Sequence, residues 1–300
     1  MRIGIFGGDA ANGPISAITD RARTAAADGF ATFWLPQIFG VDALTALALV
    51  GHEVGRIELG TAVVPTYPRH PVVLAQQALT TQAAVGGRLA LGIGLSHQLV
   101  IEGMYGYSFE RPVRHLREYL EVLVPLVRGD GATFDGDTVR AHVALDVKGA
   151  TPFPVLVAAL GPKMLALAGR VADGTVTWMT GPATLESHIV PTITKAAAAA
   201  GRPAPRVAVG LPVCVTTDVD AARARADRIF EIYGTLPSYR AMLDREGART
   251  PSGVAVVGDE AEVQRQIEHL AAIGATDFVA NVFGSSEERA ETYGLLRSIL

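Results

Sequence analysis

His97, the Leu160-Gly161-Pro162 turn and Met179-Thr180-Gly181 are where this sequence can do chemistry, because each follows a short apolar run that reads as a buried strand. A histidine in such a place, with an ordinary pKa of about 6.5, can donate a hydrogen bond or hand over a proton. The same residue reads as a loop histidine bonded to backbone. Gly161-Pro162 puts proline at a first helical position, where free N–H groups and the helix dipole favour an anion. Met179-Thr180-Gly181 closes the neighbouring strand with further N–H groups and a hydroxyl. Gly-Pro also opens many helices that bind nothing, so it is the pairing on adjacent strands that points to function.

What the predicted strand ends lack is equally informative. Asp9 and Asp218 are their only acidic residues, and they hold no histidine-histidine-acid set for a metal and no lysine placed for a Schiff base. Gly92-Ile93-Gly94 continues to His97 where a dinucleotide fingerprint needs its third glycine. Gly94-Leu95-Ser96-His97-Gln98 lacks the last glycine of a nucleophile elbow. His52-Glu53 is followed by Arg56 where a metalloprotease helix needs histidine. So little acid–base equipment suits a bound cofactor that carries the reaction itself.

The elements that position these residues follow from hydrophobic periodicity. Strand-like runs at 2–6, 31–35, 57–64, 89–93, 154–159, 174–179, 206–216 and 277–283 alternate with helical stretches. The latter lie at 15–28, 42–55, 71–85, 111–128, 162–172, 184–200, 219–246, 259–273 and 285–299. Near-continuous apolar strands belong in a parallel sheet covered on both faces. Ala27-Asp28-Gly29, Ala172-Asp173-Gly174 and Ile273-Gly274 place glycine where a helix closes and a strand follows. Ser285 with Glu288 reads as a capping box. Eight such units predict an α/β fold, the (β/α)8 TIM barrel, whose active sites lie at the C-terminal ends of the strands. A doubly wound open sheet is disfavoured by the strand count.

Two insertions exceed the minimal unit. Residues 95–110 follow the fourth strand and carry Tyr105, Tyr107 and Phe109 as a loop or short helix, and residues 131–150 precede the fifth strand. In the second, Phe134-Asp135-Gly136-Asp137 predicts a hairpin. No repeat or linker divides the chain, so 1–300 reads as one domain.

Composition agrees. The chain is 49% hydrophobic and 19% charged with a net charge of −4, which excludes disorder and offers no basic face for nucleic acid. The single cysteine, Cys214, lies in an apolar run and reads as inert core. No apolar run is long enough to span a membrane and no secretory leader is evident, so a soluble cytoplasmic protein is expected.

Three stretches carry a resemblance. They are Leu59-Gly60-Thr61-Ala62-Val63-Val64-Pro65-Thr66-Tyr67-Pro68-Arg69-His70-Pro71, Gly87-Arg88-Leu89-Ala90-Leu91-Gly92-Ile93-Gly94 with Leu95-Ser96-His97, and Pro154 through Met164 continuing to Pro182. The whole chain resembles the bacterial luciferase-like oxidoreductases, within them the branch that uses the deazaflavin coenzyme F420. The resemblance implies a luciferase-like barrel and a non-prolyl cis peptide at the end of the third strand, here Ala62–Val63, supporting the cofactor's tricycle. It further implies that Ala159-Leu160-Gly161-Pro162 and Met179-Thr180-Gly181 hold the ribityl chain and phosphate. Thr61, Gly94, Ser96, His97 and Gln37 complete the expected cofactor contacts. Many relatives carry an acid-histidine pair at the end of the second strand, where this chain has Pro36-Gln37. Glutamine can hydrogen-bond a ring carbonyl but cannot move a proton, so His97 becomes the expected proton-transfer residue, with Gln37 beside it.

Lesser candidates follow. Arg69 can reach an anionic tail and His70 can cap its turn, or the two form a solvated helix start. Trp178, by alternation with Met179, is expected to face the helices. Arg111, Arg114 and Arg117, with Glu118 and Glu121, read as an exposed helix face of weak ion pairs. The resemblance implies the first two of three functional readings, and the missing histidine at the end of the second strand is the support for the third. The three are an F420-dependent oxidoreductase moving a hydride to or from a small organic substrate, an FMN-dependent monooxygenase using oxygen, and a non-catalytic flavin-binding barrel. A homodimer is implied by the same family.

Overall fold

The computed structural model describes residues 1–300. Strands β1 (Arg2–Phe6), β2 (Thr32–Leu35), β3 (Glu58–Thr61) with its continuation β4 (Val64–Pro65), and β5 (Leu89–Gly94) alternate with α1 (Ile15–Ala27), α2 (Ala43–Glu53) and α3 (Pro71–Ala84). After β5 come α4 (Gln98–Gly103) and α5 (Pro112–Arg128). An antiparallel hairpin of β6 (Ala132–Asp135) and β7 (Arg140–Val143) follows, as the Asp-Gly turn predicts. Next are β8 (Val155–Val157), α6 (Pro162–Val171), β9 (Gly174–Trp178), α7 (Pro182–Thr184), a π-helical turn at Leu185–Ile189, α8 (Val190–Ala199) and β10 (Arg206–Val215). The chain ends with α9 (Val219–Ile229), α10 (Glu231–Thr235), α11 (Pro237–Glu246), β11 (Val256–Gly258), α12 (Glu260–Ala272), β12 (Asp277–Val282) and α13 (Ser286–Ser298).

Eight parallel strands pair in the order β1-β2-β3-β5-β8-β9-β10-β12, and β12 returns to β1 to close the (β/α)8 barrel. The barrel interior is a small cluster of Trp34, Ala90, Leu156, Val176, Ala208 and Val279, with Phe6, Ala62 and Val63 packed against it. Gly60 is required beside Trp34, since a Cβ there would collide with the indole. The end opposite the mouth is ionic. Arg206 lies over Trp34 with its guanidinium 5.2 Å from the ring centroid, and its Nη2 reaches Asp277 at 2.7 Å and Glu58 at 2.6 Å. Asp277 is fully buried, and pairing with Arg206 and Arg2 offsets its desolvation.

A larger core fills the space between sheet and helices. On α5, Leu116, Tyr119, Leu120, Leu123 and Val127 recur at helical spacing and are buried, which docks the helix on the barrel. Glu118 departs from the exposed face expected of it. It is buried, and its carboxylate accepts from the Thr138 N–H and hydroxyl at 2.7 Å, tying the hairpin to α5.

Two boundaries differ from the periodicity. The stretch 219–246 is three helices rather than one: the chain leaves helical geometry at Phe230, between α9 and α10, and Leu236 is extended before Pro237, as the residue preceding a proline prefers. Val256–Gly258 forms an extra short strand on β10, too brief to stand out as a run in the sequence.

Candidate active site

The end of β3 shapes the floor of the mouth. The Ala62–Val63 peptide is cis, where the resemblance places it. Thr61 is fully buried, its hydroxyl donating to the Gly92 carbonyl at 2.8 Å and accepting from the Gly92 N–H at 2.9 Å. Thr61 therefore locks β3 to β5, and its side chain is not free for a cofactor contact. Around the kink everything is small. A Cβ on Gly94 would lie 2.7 Å from Val63 Cγ2 and 3.2 Å from Ala158 Cβ. Ala158 is exposed although it directly follows buried Val157. Ala62, Val63, Gly94 and Ala158 thus make a flat apolar floor, open above. Ser96 leaves β5 with a left-handed φ of 62°, turning the chain toward α4.

Beyond β8 the backbone presents donors. The N–H groups of Ala159, Leu160 and Gly161 make no hydrogen bond within the protein. Those of Lys163 and Met164, in the first turn of α6, make none either, and Pro162 has no N–H to satisfy. No atom lies within 4 Å of where a Cβ on Gly161 would sit. His188 donates from Nε2 to the Leu160 carbonyl at 2.8 Å, fixing the loop from behind. Lys163 is exposed and has no ion-pair partner. Donors, a helix start and a free cation in one place are the groups that favour an anion.

The neighbouring exit after β9 keeps the expected N–H groups of Thr180 and Gly181 free of hydrogen bonds within the protein, but its side chains differ from those after β8. Met179 and Thr180 are fully buried, Met179 with a left-handed φ of 52°, and the Thr180 hydroxyl donates to the Trp178 carbonyl at 3.2 Å. The helix-start donors beyond Gly181 are already used. Glu246, from the end of α11, accepts from the Ala183 N–H at 3.0 Å and the Thr184 N–H at 2.7 Å. Its carboxylate also covers Gly181 where a Cβ would be. This start carries its own anion.

The polar side chains of the mouth divide similarly. The Gln37 carbonyl accepts from the Ala43 N–H at 3.2 Å, capping α2 and leaving its amide N–H groups to donate elsewhere. His97 is half-buried at the start of α4, makes no capping bond, and its ring lies 5.6 Å from that of Tyr239. Burial pushes its pKa below the usual histidine value, which favours the neutral imidazole. Arg69 is paired with Asp42 and is not free to reach an anionic tail. His70 caps α3 through Nδ1, which accepts from the Val72 N–H at 3.3 Å.

Aromatic side chains form the remaining wall, which the alternation pattern missed. Trp178 faces the barrel mouth and not the helices. It stacks on Phe6 with centroids 5.5 Å apart and meets Phe230 and Tyr233 edge-on at 5.8 and 5.7 Å. Tyr233 in turn meets Tyr239 edge-on at 5.1 Å. Phe230, Tyr233 and Tyr239 come from the α9–α11 segment, so the connection after β10 folds over the mouth. On the other side Tyr67 stacks on His115 at 3.9 Å and on Phe109 at 5.3 Å, holding the 95–110 insertion against the exit of β4. Burial lowers His115 to about 4, keeping it neutral in that stack.

The missed residues are Lys163, His188, Glu246 and the aromatic wall. His188, Glu246 and the wall act through partners distant in sequence, whereas the Gly-Pro-Lys order alone hinted at Lys163. Cys214 is buried core, its thiol pushed up to about 11 by burial, as its apolar surroundings imply.

Comparison with known proteins gives a consistent picture. The profile of the family described as luciferase-like monooxygenase matches residues 1–277. The chain is 27% identical to 5,10-methylenetetrahydromethanopterin reductase of Methanolobus tindarius, over 92% of this chain and 94% of that protein. It is 31% identical to F420-dependent glucose-6-phosphate dehydrogenase of Nakamurella multipartita, over 61% of this chain and 56% of that one. Among solved structures, the coenzyme F420-dependent tetrahydromethanopterin reductase of Methanopyrus kandleri superposes with a TM-score of 0.82 at 23% identity, covering 99% of this chain and 97% of that one.

Proposed function

The chain belongs to the luciferase-like monooxygenase family, and from that premise we propose that it is a coenzyme F420-dependent oxidoreductase moving a hydride between the deazaflavin and a small organic substrate. The observation that carries this reading is the run of unpaired N–H groups from Ala159 to Met164, with free Lys163, beside the small-residue floor. A deazaflavin needs both features, a flat apolar face for its tricycle and donors for a phosphate-bearing tail. Relatives named for the same cofactor support the choice.

When bound, the deazaflavin supplies two-electron hydride chemistry with little reactivity toward oxygen. The chain's own residues do the rest. Ala62, Val63, Gly94 and Ala158 shield one ring face. The N–H groups of Ala159, Leu160 and Gly161, with the α6 start and Lys163, hold the tail, and His188 keeps that loop in place. The free amide N–H of Gln37 donates to a ring carbonyl. Ser96 turns His97 into the mouth, where a neutral imidazole can accept or return a proton at one ring nitrogen. Met179 and Thr180 support the wall from behind.

The same reading makes the protein a single-domain, cytoplasmic homodimer. It is supported by the absence of a helix long and apolar enough to cross a membrane, and by exposed Leu49 and Val73 on neighbouring α2 and α3. Titration of the protein with oxidised F420 and separately with FMN, followed by absorbance and fluorescence, tests the cofactor assignment. F420 is expected to bind at least about tenfold more tightly than FMN. Tight FMN binding with none for F420 contradicts the assignment and favours an oxygen-using monooxygenase.

A further inference from the structure

We propose that the substrate taken at this mouth is an uncharged carbonyl or hydroxyl compound with an apolar, preferably aromatic, body; the inference rests on the redox reading above and adds to it the substrate class. The cage above the floor is built from Phe6, Trp178, Phe230, Tyr233 and Tyr239, in a continuous series of stacked and edge-on contacts. Such walls bury aromatic and aliphatic bodies and hold no positive charge for an anion, their polar tips being the uncharged Tyr233 and Tyr239 hydroxyls and the Trp178 N–H. Within the cage, Trp178 Nε1 is buried beside the Tyr233 hydroxyl but makes no hydrogen bond of good geometry. An unpartnered buried N–H is costly unless something accepts from it, and an uncharged oxygen suits a site with no counter-ion.

The charges at this end of the barrel are otherwise engaged. Asp9 pairs with Arg21 and Arg289, Asp218 caps α9 through the Ala221 N–H, and Asp42 pairs with Arg69. Glu246 is held by α7, and Glu102 accepts from the Phe109 N–H and from Gln98. The cations here without an ion pair include Lys163 on the tail site, Arg111, exposed at the start of α5, and Arg228, Arg245 and Arg249 on or just after the α9–α11 segment. None of them lies over a ring of the aromatic wall, whose faces would leave a phosphorylated or carboxylated substrate unpaired. The approach is apolar too, with Ile38 and Phe39 on one rim and Leu99 and Met104 on another all exposed.

Calorimetry and saturation-transfer NMR on the F420-loaded protein test this with acetophenone and 4-acetylbenzoate, which share ring and ketone and differ by one carboxylate. Acetophenone is expected to bind at least about tenfold more tightly. Tyr233→Ala and Tyr239→Ala, read beside circular dichroism and F420 titration that stay unchanged, are each expected to weaken acetophenone by about fivefold. Equal or tighter binding of 4-acetylbenzoate overturns the proposal, as does acetophenone binding that ignores both variants. Loading is followed separately by deazaflavin absorbance. Where the cofactor does not load, the redox reading fails, and the same pair measured on the protein alone still decides the substrate class by the same ordering.

Discussion

Gly161-Pro162 and Gly181-Pro182 are the same dipeptide, each leaving a barrel strand and opening a helix, on adjacent strands of one mouth. Their surroundings are opposite. The first start has unpaired donors, open space at Gly161 and a free lysine. The second leaves the Thr180 and Gly181 N–H groups free but has its helix-start donors, on Ala183 and Thr184, used by Glu246, whose carboxylate sits against Gly181. Local sequence sets the capacity to bind an anion, while a residue 65 positions away, in chain order 181 to 246, decides whether that capacity is free. The first start is the proposed ligand site, and the second is occupied by Glu246 of α11.

The comparison can be broken from either side. Lys163→Glu brings to the first start the kind of charge that Glu246 brings to the second, and F420 affinity is expected to fall by about 30-fold or more, read by fluorescence titration at low salt. Retention of affinity would place the tail elsewhere. Glu246→Ala empties the second start and leaves two N–H groups without their acceptor. Stability is expected to drop by about 1–2 kcal/mol in urea unfolding, with F420 affinity at the first start kept. An unchanged urea midpoint would mean that the contact contributes nothing.

Glycine substitutions sharpen the contrast at smaller magnitude. Gly181→Ala pushes a methyl group into Glu246 and is expected to cost about 1 kcal/mol, the displaced side chain keeping part of its bonding. Gly161→Ala meets no atom, at an ordinary φ of −76°, and is expected to leave stability within about 0.5 kcal/mol. Its methyl group stands where the tail would lie, so F420 affinity should fall by about threefold in the same titration. Equal responses of the two glycines, in both stability and affinity, would erase the distinction.

Most of the fold was legible because it rests on local rules. Runs such as 2–6 and 206–216 alternate with helical periodicity, and Ser285 with Glu288 forms the capping box that its spacing announces. The cis peptide at Ala62–Val63 came from family likeness, since Thr-Ala-Val carries no signal of its own. The site was half legible. The Leu160-Gly161-Pro162 donors could be read from one turn, whereas Glu246 could not be placed on Gly181 without the path of α9–α11. Trp178 was misjudged by strict alternation, because β9 ends there and the left-handed Met179 resets the pattern. Glu118 looked exposed by charge alone, but the hairpin it holds is an insertion that helix periodicity does not describe.

A crystal structure of the F420-loaded protein tests the central claim most directly. The account predicts the tail phosphate on the N–H groups after Ala158 and beside Lys163, the tricycle over Ala62, Val63 and Gly94, and Glu246 still bound to Ala183 and Thr184. A phosphate seated on Ala183 and Thr184 with Glu246 displaced, or a ring lying away from the kinked strand, would contradict it.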